Sequence, residues 1–134
     1  MGTLARGSFE VKMTPQPWSE SPVDLALNRF LLDKTFHGDI EGSSQGQMLS
    51  AGTIEKGSAG YVAIEKVTGT LHGRSGSFMM QHNGIMNRGV PQLGIVIVPD
   101  SGTGDLTGLA GTLTIQIADG KHSYELAYTL ATIE

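Results

Sequence analysis

The sequence predicts an all-β protein: an eight-stranded antiparallel meander closed into a barrel. Three observations predict it. Apolar and polar residues alternate with a period of two in run after run, as at Ser8–Met13, Leu113–Ile117 and Tyr124–Leu130. Turn chemistry separates the runs, at Asn83-Gly84, Asn87-Arg88-Gly89, Pro99–Gly102 and Asp119-Gly120. And one phrase is written twice: Thr68-Gly69-x-Leu71-x-Gly73-x-x-Gly76-Ser77-Phe78 matches Thr103-Gly104-x-Leu106-x-Gly108-x-x-Gly111-Thr112-Leu113.

Each copy of the phrase reads as a hairpin, a strand running into Gly-x-Leu-x-Gly and a second strand leaving it, with glycines supplying the positive φ of a tight return. A looser third copy, with one more residue in its turn, lies at Gly38–Gly46. Three hairpins place strands at 29–41/45–52, 58–72/75–83 and 92–107/111–118; an N-terminal strand at 3–13 and a C-terminal one at 122–132 bring the number to eight. Gly94–Val98 is a continuous apolar run, which predicts a strand covered on both faces. Residues 14 to 22, TPQPWSESP, carry three prolines and read as the longest loop, with Trp18 free to pack, to lid a barrel end or to meet another subunit. No stretch sustains a helical period; the best, Val23–Leu27, is two turns at most. Closure removes exposed sheet edges, and a barrel of this size is either filled by side chains or holds one small ligand. An open sandwich is the competing arrangement.

The bulk numbers bound the function. At 134 residues the expectation is a single domain spanning 1–134. A net charge of −4 gives no basic footprint, so nucleic acid is not expected as a partner. There is no cysteine, which removes thiol nucleophiles, disulfides and cysteine metal sites. The N-terminus shows neither a signal core nor a membrane run, so no membrane partner and a cytoplasmic location are expected. The Gly102–Gly108 stretch is no nucleotide loop, because a strand rather than a helix follows it. His37, His72 and His122 lack metal-ligand spacing, and no serine sits in a nucleophile elbow. No metal and no cofactor are expected, and no catalytic residue is assigned.

The second hairpin points to a candidate site. If it turns on Gly73-Arg74, or on the four residues His72–Ser75, then Leu71 faces Gly76, Val67 faces Met80 and Glu65 faces His82. Opposed residues project to one face. That face then carries Tyr61, Ala63, Glu65 and Val67 with Phe78, Met80 and His82, and leaves Lys66 and Gln81 to solvent. A carboxylate beside an imidazole among apolar neighbours can orient a ligand or move a proton, and it can equally be a satisfied core pair. A three-residue turn would break the register. Tyr61, Glu65, Phe78, Met80 and His82 are the candidate barrel-interior binding residues.

The stretches 59–84 (AGYVAIEKVTGTLHGRSGSFMMQHNG), 98–115 (VPDSGTGDLTGLAGTLTI) and 119–130 (DGKHSYELAYTL), with Phe36–Gly42, resemble the bacterial family called domain of unknown function 3224. The resemblance implies a lipocalin-like barrel similar to plant allene oxide cyclase, of a kind that commonly self-associates as a dimer or larger homo-oligomer. It supplies no reaction. The expected function is a module binding a small, mostly apolar ligand inside the barrel; the alternatives are a cofactor-free isomerase or cyclase acting on a lipophilic substrate through Glu65 and His82, and a structural oligomer with no ligand.

Overall fold

The computed structural model describes residues 2–17 and 27–130. Eight strands, β1 (Thr3–Gln16), β2 (Leu27–Gly38), β3 (Ile40–Gly52), β4 (Ala59–Leu71), β5 (Arg74–Asn87), β6 (Val90–Ile97), β7 (Leu109–Ala118) and β8 (Lys121–Leu130), each pair antiparallel with the next. The β1–β8 ladder, from Thr3 opposite Tyr128 to Phe9 opposite His122, closes the barrel. The expected meander is therefore the observed fold, and the open sandwich is set aside. Among the described residues, no helix is long and apolar enough to cross a membrane.

Alternation drives the closure, because nearly every strand offers a mainly apolar row to a common interior; the inward row of β3 is small residues between Ile40 and Met48. Phe9, Phe36, Ile40, Val67, Leu71, Phe78, Ile97, Leu109, Leu113 and Leu126 are all buried there. Tyr124 anchors this core by its hydroxyl, which donates to the His37 carbonyl at 2.9 Å and accepts from the Ile40 amide at 2.8 Å. Gly7 stands opposite Tyr124 and has to be glycine, since a Cβ there would run into the His37 carbonyl and the Tyr124 hydroxyl.

Several expected boundaries move. The β2–β3 return falls at Gly38-Asp39, not at 42–44, and Gly42–Gly46 continues the strand. The β4–β5 return is His72-Gly73, with φ of 47° and 80°, the two positive values a type I′ turn needs. Asn83-Gly84 is no turn but part of β5, and the chain reverses at Arg88-Gly89 instead. Strand β1 runs on through Pro15 to Gln16, past the expected start of the loop; Trp18, Pro22 and Val23 lie outside the described residues. Only one face of Gly94–Val98 is covered: Ile95 and Ile97 point inward, while Val96 is exposed.

The second copy of the repeated phrase is not a hairpin. Strand β6 stops at Ile97, and residues 98–108 form a connection holding a 3₁₀ turn, Gly104–Leu106, that drives Leu106 into the core. The connection is fastened to β5 by Thr103, whose amide donates to the Ser77 carbonyl at 2.8 Å while its hydroxyl meets the Ser77 amide and hydroxyl at 3.0 and 2.7 Å. The burial of Leu106 and these three bonds overrule the local likeness to the first copy.

Candidate functional site

Four polar side chains meet in the interior, each at an inward position of its strand: Lys34 on β2, Ser44 on β3, Glu65 on β4 and His82 on β5. The sequence makes room for them. Gly46 is the register partner of Glu65 and Ala63 that of His82, so each long polar side chain faces a residue with little or no side chain.

Glu65 is the hub. Its Oε2 accepts from Lys34 Nζ at 2.7 Å and from His82 Nε2, and its Oε1 accepts from the Ser44 hydroxyl at 2.6 Å. The Lys34 ammonium also stands 5.2 Å over the Phe9 ring, a cation–π contact. Burial alone would push the Glu65 carboxyl up. The His82 hydrogen bond and the Lys34 charge reverse that and hold it well down, at about 2, so the group is a carboxylate at any ordinary pH. Among the described residues, no buried side-chain nitrogen or oxygen lacks a partner.

The pair inferred from sequence meets, by a different register. Glu65 faces Met80 rather than His82, and Val67 faces Phe78 rather than Met80, because the turn sits one residue earlier than expected. A shift of two residues preserves the face, so Glu65 and His82 end up diagonal neighbours within reach of one another. Lys66 and Gln81 are exposed on the outside. Lys34 and Ser44 are not among the residues that the sequence singles out. The signal for Lys34 was present: Phe30, Leu32, Lys34 and Phe36 alternate with Leu31, Asp33 and Thr35, which puts a lysine in an inward row.

The interior around this hub has two halves. Toward the Gly38-Asp39 and His72-Gly73 turns it is solid; Phe78 and Met80 belong to this half, at 2% and 1% exposure. Toward the Arg88-Gly89 and Asp119-Gly120 turns the inward side chains open out. Phe30, Met48 and Tyr61 are half-buried there, and Met86, Leu93 and Ile117 reach 40%, 47% and 66% exposure. The polar hub lies between the two halves, at the floor of an apolar cup. Burial, with the Glu65 charge adding to it, raises the Tyr61 phenol above its ordinary value, so Tyr61 offers the cup a neutral hydroxyl.

This barrel has known relatives. The sequence profile of the family described as "Protein of unknown function (DUF3224)" matches residues 5–128. The chain belongs to that family. A DUF3224-family protein of unknown function from Shewanella oneidensis MR-1, known from a crystal structure, is 50% identical; the match covers 99% of this chain and 100% of that one, with a TM-score of 0.94. No curated protein matches the chain.

Proposed function

We propose that this DUF3224 protein binds a small, mostly apolar molecule in the open half of its barrel, with the molecule's polar end on the hub. The observation that carries this reading is the division of the interior. A barrel needed only as a packed core gains nothing by leaving Met86, Leu93 and Ile117 exposed on inward rows. The apolar body would lie among Phe30, Met48, Tyr61 and Leu93. His82 meets Glu65 through Nε2, which leaves Nδ1, on the other side of the ring, as the atom to take the polar end. Glu65, ionised and committed to three partners, positions His82 rather than meeting the ligand. Phe78 and Met80 form the wall beneath, reachable only by displacing core side chains. Native mass spectrometry of gently purified protein, repeated after denaturation, tests the reading. Extra mass of a few hundred daltons that disappears on denaturation, and is absent in Met48→Trp, supports it; a bare chain that also fails to take up medium-chain fatty acids and alcohols refutes it.

One observation favours a second reading, self-association. The outward rows of β3 to β6 between Gln45 and Val96 hold glutamines, Asn83 and the exposed apolar Leu49, Val62, Ile64, Ile85 and Val96, with Lys66 and the end residues aside. The outer faces of β1, β2 and β8 instead carry Arg6, Glu10, Lys12, Asp33, Lys121 and Glu125. Two copies meeting through the uncharged wall would bury apolar surface while keeping their like net charges apart. Ile64→Lys should shift such an assembly to monomer in sedimentation velocity.

A further inference from the structure

At the far end of the barrel from the cup, three side chains from separate parts of the chain form a line, joined by one ion-pair contact and one hydrogen bond. Asp39 sits in the β2–β3 turn, His72 in the β4–β5 turn and Tyr128 on β8. The Arg6 amide donates to Asp39 Oδ2 at 2.8 Å, Asp39 Oδ2 stands 3.4 Å from His72 Nε2, and His72 Nδ1 is 2.5 Å from the Tyr128 hydroxyl. The backbone fixes the imidazole between its partners. The His72 amide donates to the Asp39 carbonyl at 2.9 Å, and His72 holds a left-handed φ of 47°. With Nε2–H turned to the carboxylate, Nδ1 accepts the Tyr128 proton.

Comparison with the neighbouring tyrosine shows what is unusual. The Tyr124 hydroxyl is tied to backbone groups, as a structural tyrosine should be. The Tyr128 hydroxyl instead meets a side-chain base that is itself backed by a carboxylate. The ring is buried, yet it lines an open groove of about 560 Å³ with Thr3, His72, Arg74 and Leu130. Arg74 supplies a cation at that groove. Carboxylate, imidazole, hydroxyl and a nearby cation are the parts of a proton-transfer site.

We propose that this end of the barrel is a second site, separate from the cup, at which Tyr128 exchanges a proton with a small ligand. The ligand class is a molecule with an acidic C–H or O–H beside a carbonyl or carboxylate oxygen that can stand against Arg74. Tyr128 Oη takes the ligand's proton while its own passes to His72 Nδ1. The electron pair of the broken bond stays on the ligand, delocalised onto the oxygen facing Arg74, and the new imidazolium is stabilised by Asp39. His72 and Asp39 are positioning groups behind Tyr128. Burial raises the Tyr128 phenol above its ordinary value, with Arg74 pulling the other way, so the hydroxyl stays protonated near neutrality and needs His72 to release it. The Arg6 amide holds the Asp39 carboxyl below its ordinary value, with the His72 charge adding to this, which keeps the end of the line anionic.

A phenylsulfonyl fluoride reads this out directly. The Tyr128 oxygen forms the S–O bond, the S–F bond breaks, fluoride leaves and the proton goes to His72. Peptide mapping of the wild-type protein should show Tyr128 labelled about 100-fold faster than Tyr61 or Tyr124, the span of one general-base contribution. His72→Asn, chosen because asparagine tolerates left-handed φ, should remove that advantage without changing the circular dichroism, and added imidazole should restore part of it. Tyr128 labelling no faster than Tyr124, or unchanged in His72→Asn, overturns the proposal. A purely structural His72–Tyr128 bond gives no imidazole rescue.

Discussion

Substituting Lys34 by Met tests the hub most sharply. The lysine side chain is 7% exposed and that of Glu65 0%, so the change deletes a buried cation and leaves the carboxylate with only Ser44 and His82. Breaking a buried pair from one side costs about 3–5 kcal/mol, because the remaining charge is uncompensated. Ser44 and His82 keep their hydrogen bonds to the carboxylate and make good part of the loss, which points to the lower end, about 3 kcal/mol near pH 7. For a chain of this length that is a fall in Tm on the order of 10 °C. Urea unfolding followed by circular dichroism measures the free energy, and an unchanged m-value shows that the denatured state is the same. The combined Lys34→Met, Glu65→Leu, His82→Phe variant should recover to within about 1 kcal/mol of the wild type or exceed it, since an apolar replacement of similar volume is often neutral or stabilising. Such a recovery would mean that the barrel does not need the hub in order to fold. A single variant within about 1 kcal/mol of wild type would refute the buried pair, and a combined variant as weak as the single one would refute the uncompensated charge as the source of the loss.

Two further outcomes follow from the same carboxylate. Its folded pKa, about 2, lies below the unfolded value of 4.5, so the unfolded chain binds the extra proton and stability falls as pH drops through that window. About 3 kcal/mol present above pH 4.5 should be lost toward pH 2, and Glu65→Gln should flatten that slope in acid unfolding curves. At Gly46→Ala, the new Cβ meets the Ile64 carbonyl and the Glu65 Cα and Cβ, so the β3–β4 ladder has to spread. A loss of about 1–3 kcal/mol is expected, together with shifted His82 ring signals in NMR, which an unstrained site would leave in place.

The number of strands and their connection in sequence order were legible because period-two alternation and turn residues are local properties. The inward set on β4 and β5 was legible for a related reason: a slip of two residues changes partners but not faces, so Glu65 and His82 survived a misplaced turn. What stayed hidden depended on contacts distant in sequence. Lys34 stands in a legible inward row, but its partner Glu65 lies 31 positions away and nothing near it in sequence names it. The second copy of the repeated phrase reads as a hairpin until Ser77 and the core beneath Leu106 claim it. Asp39, His72 and Tyr128 each look like an ordinary turn or strand residue, and only closure through β1 and β8 draws them into a line.

Strands β6 and β7 are joined by a single register pair, Val96 with Thr112, whereas the ladder between β4 and β5 runs from Ala59 to Leu71 without a break. A cylinder zipped this unevenly has a preferred line of parting. Thermal opening there costs the fewest backbone bonds, and the inward side chains next to that line are Ile95 and Ile97, the register partners of His82 and Met80.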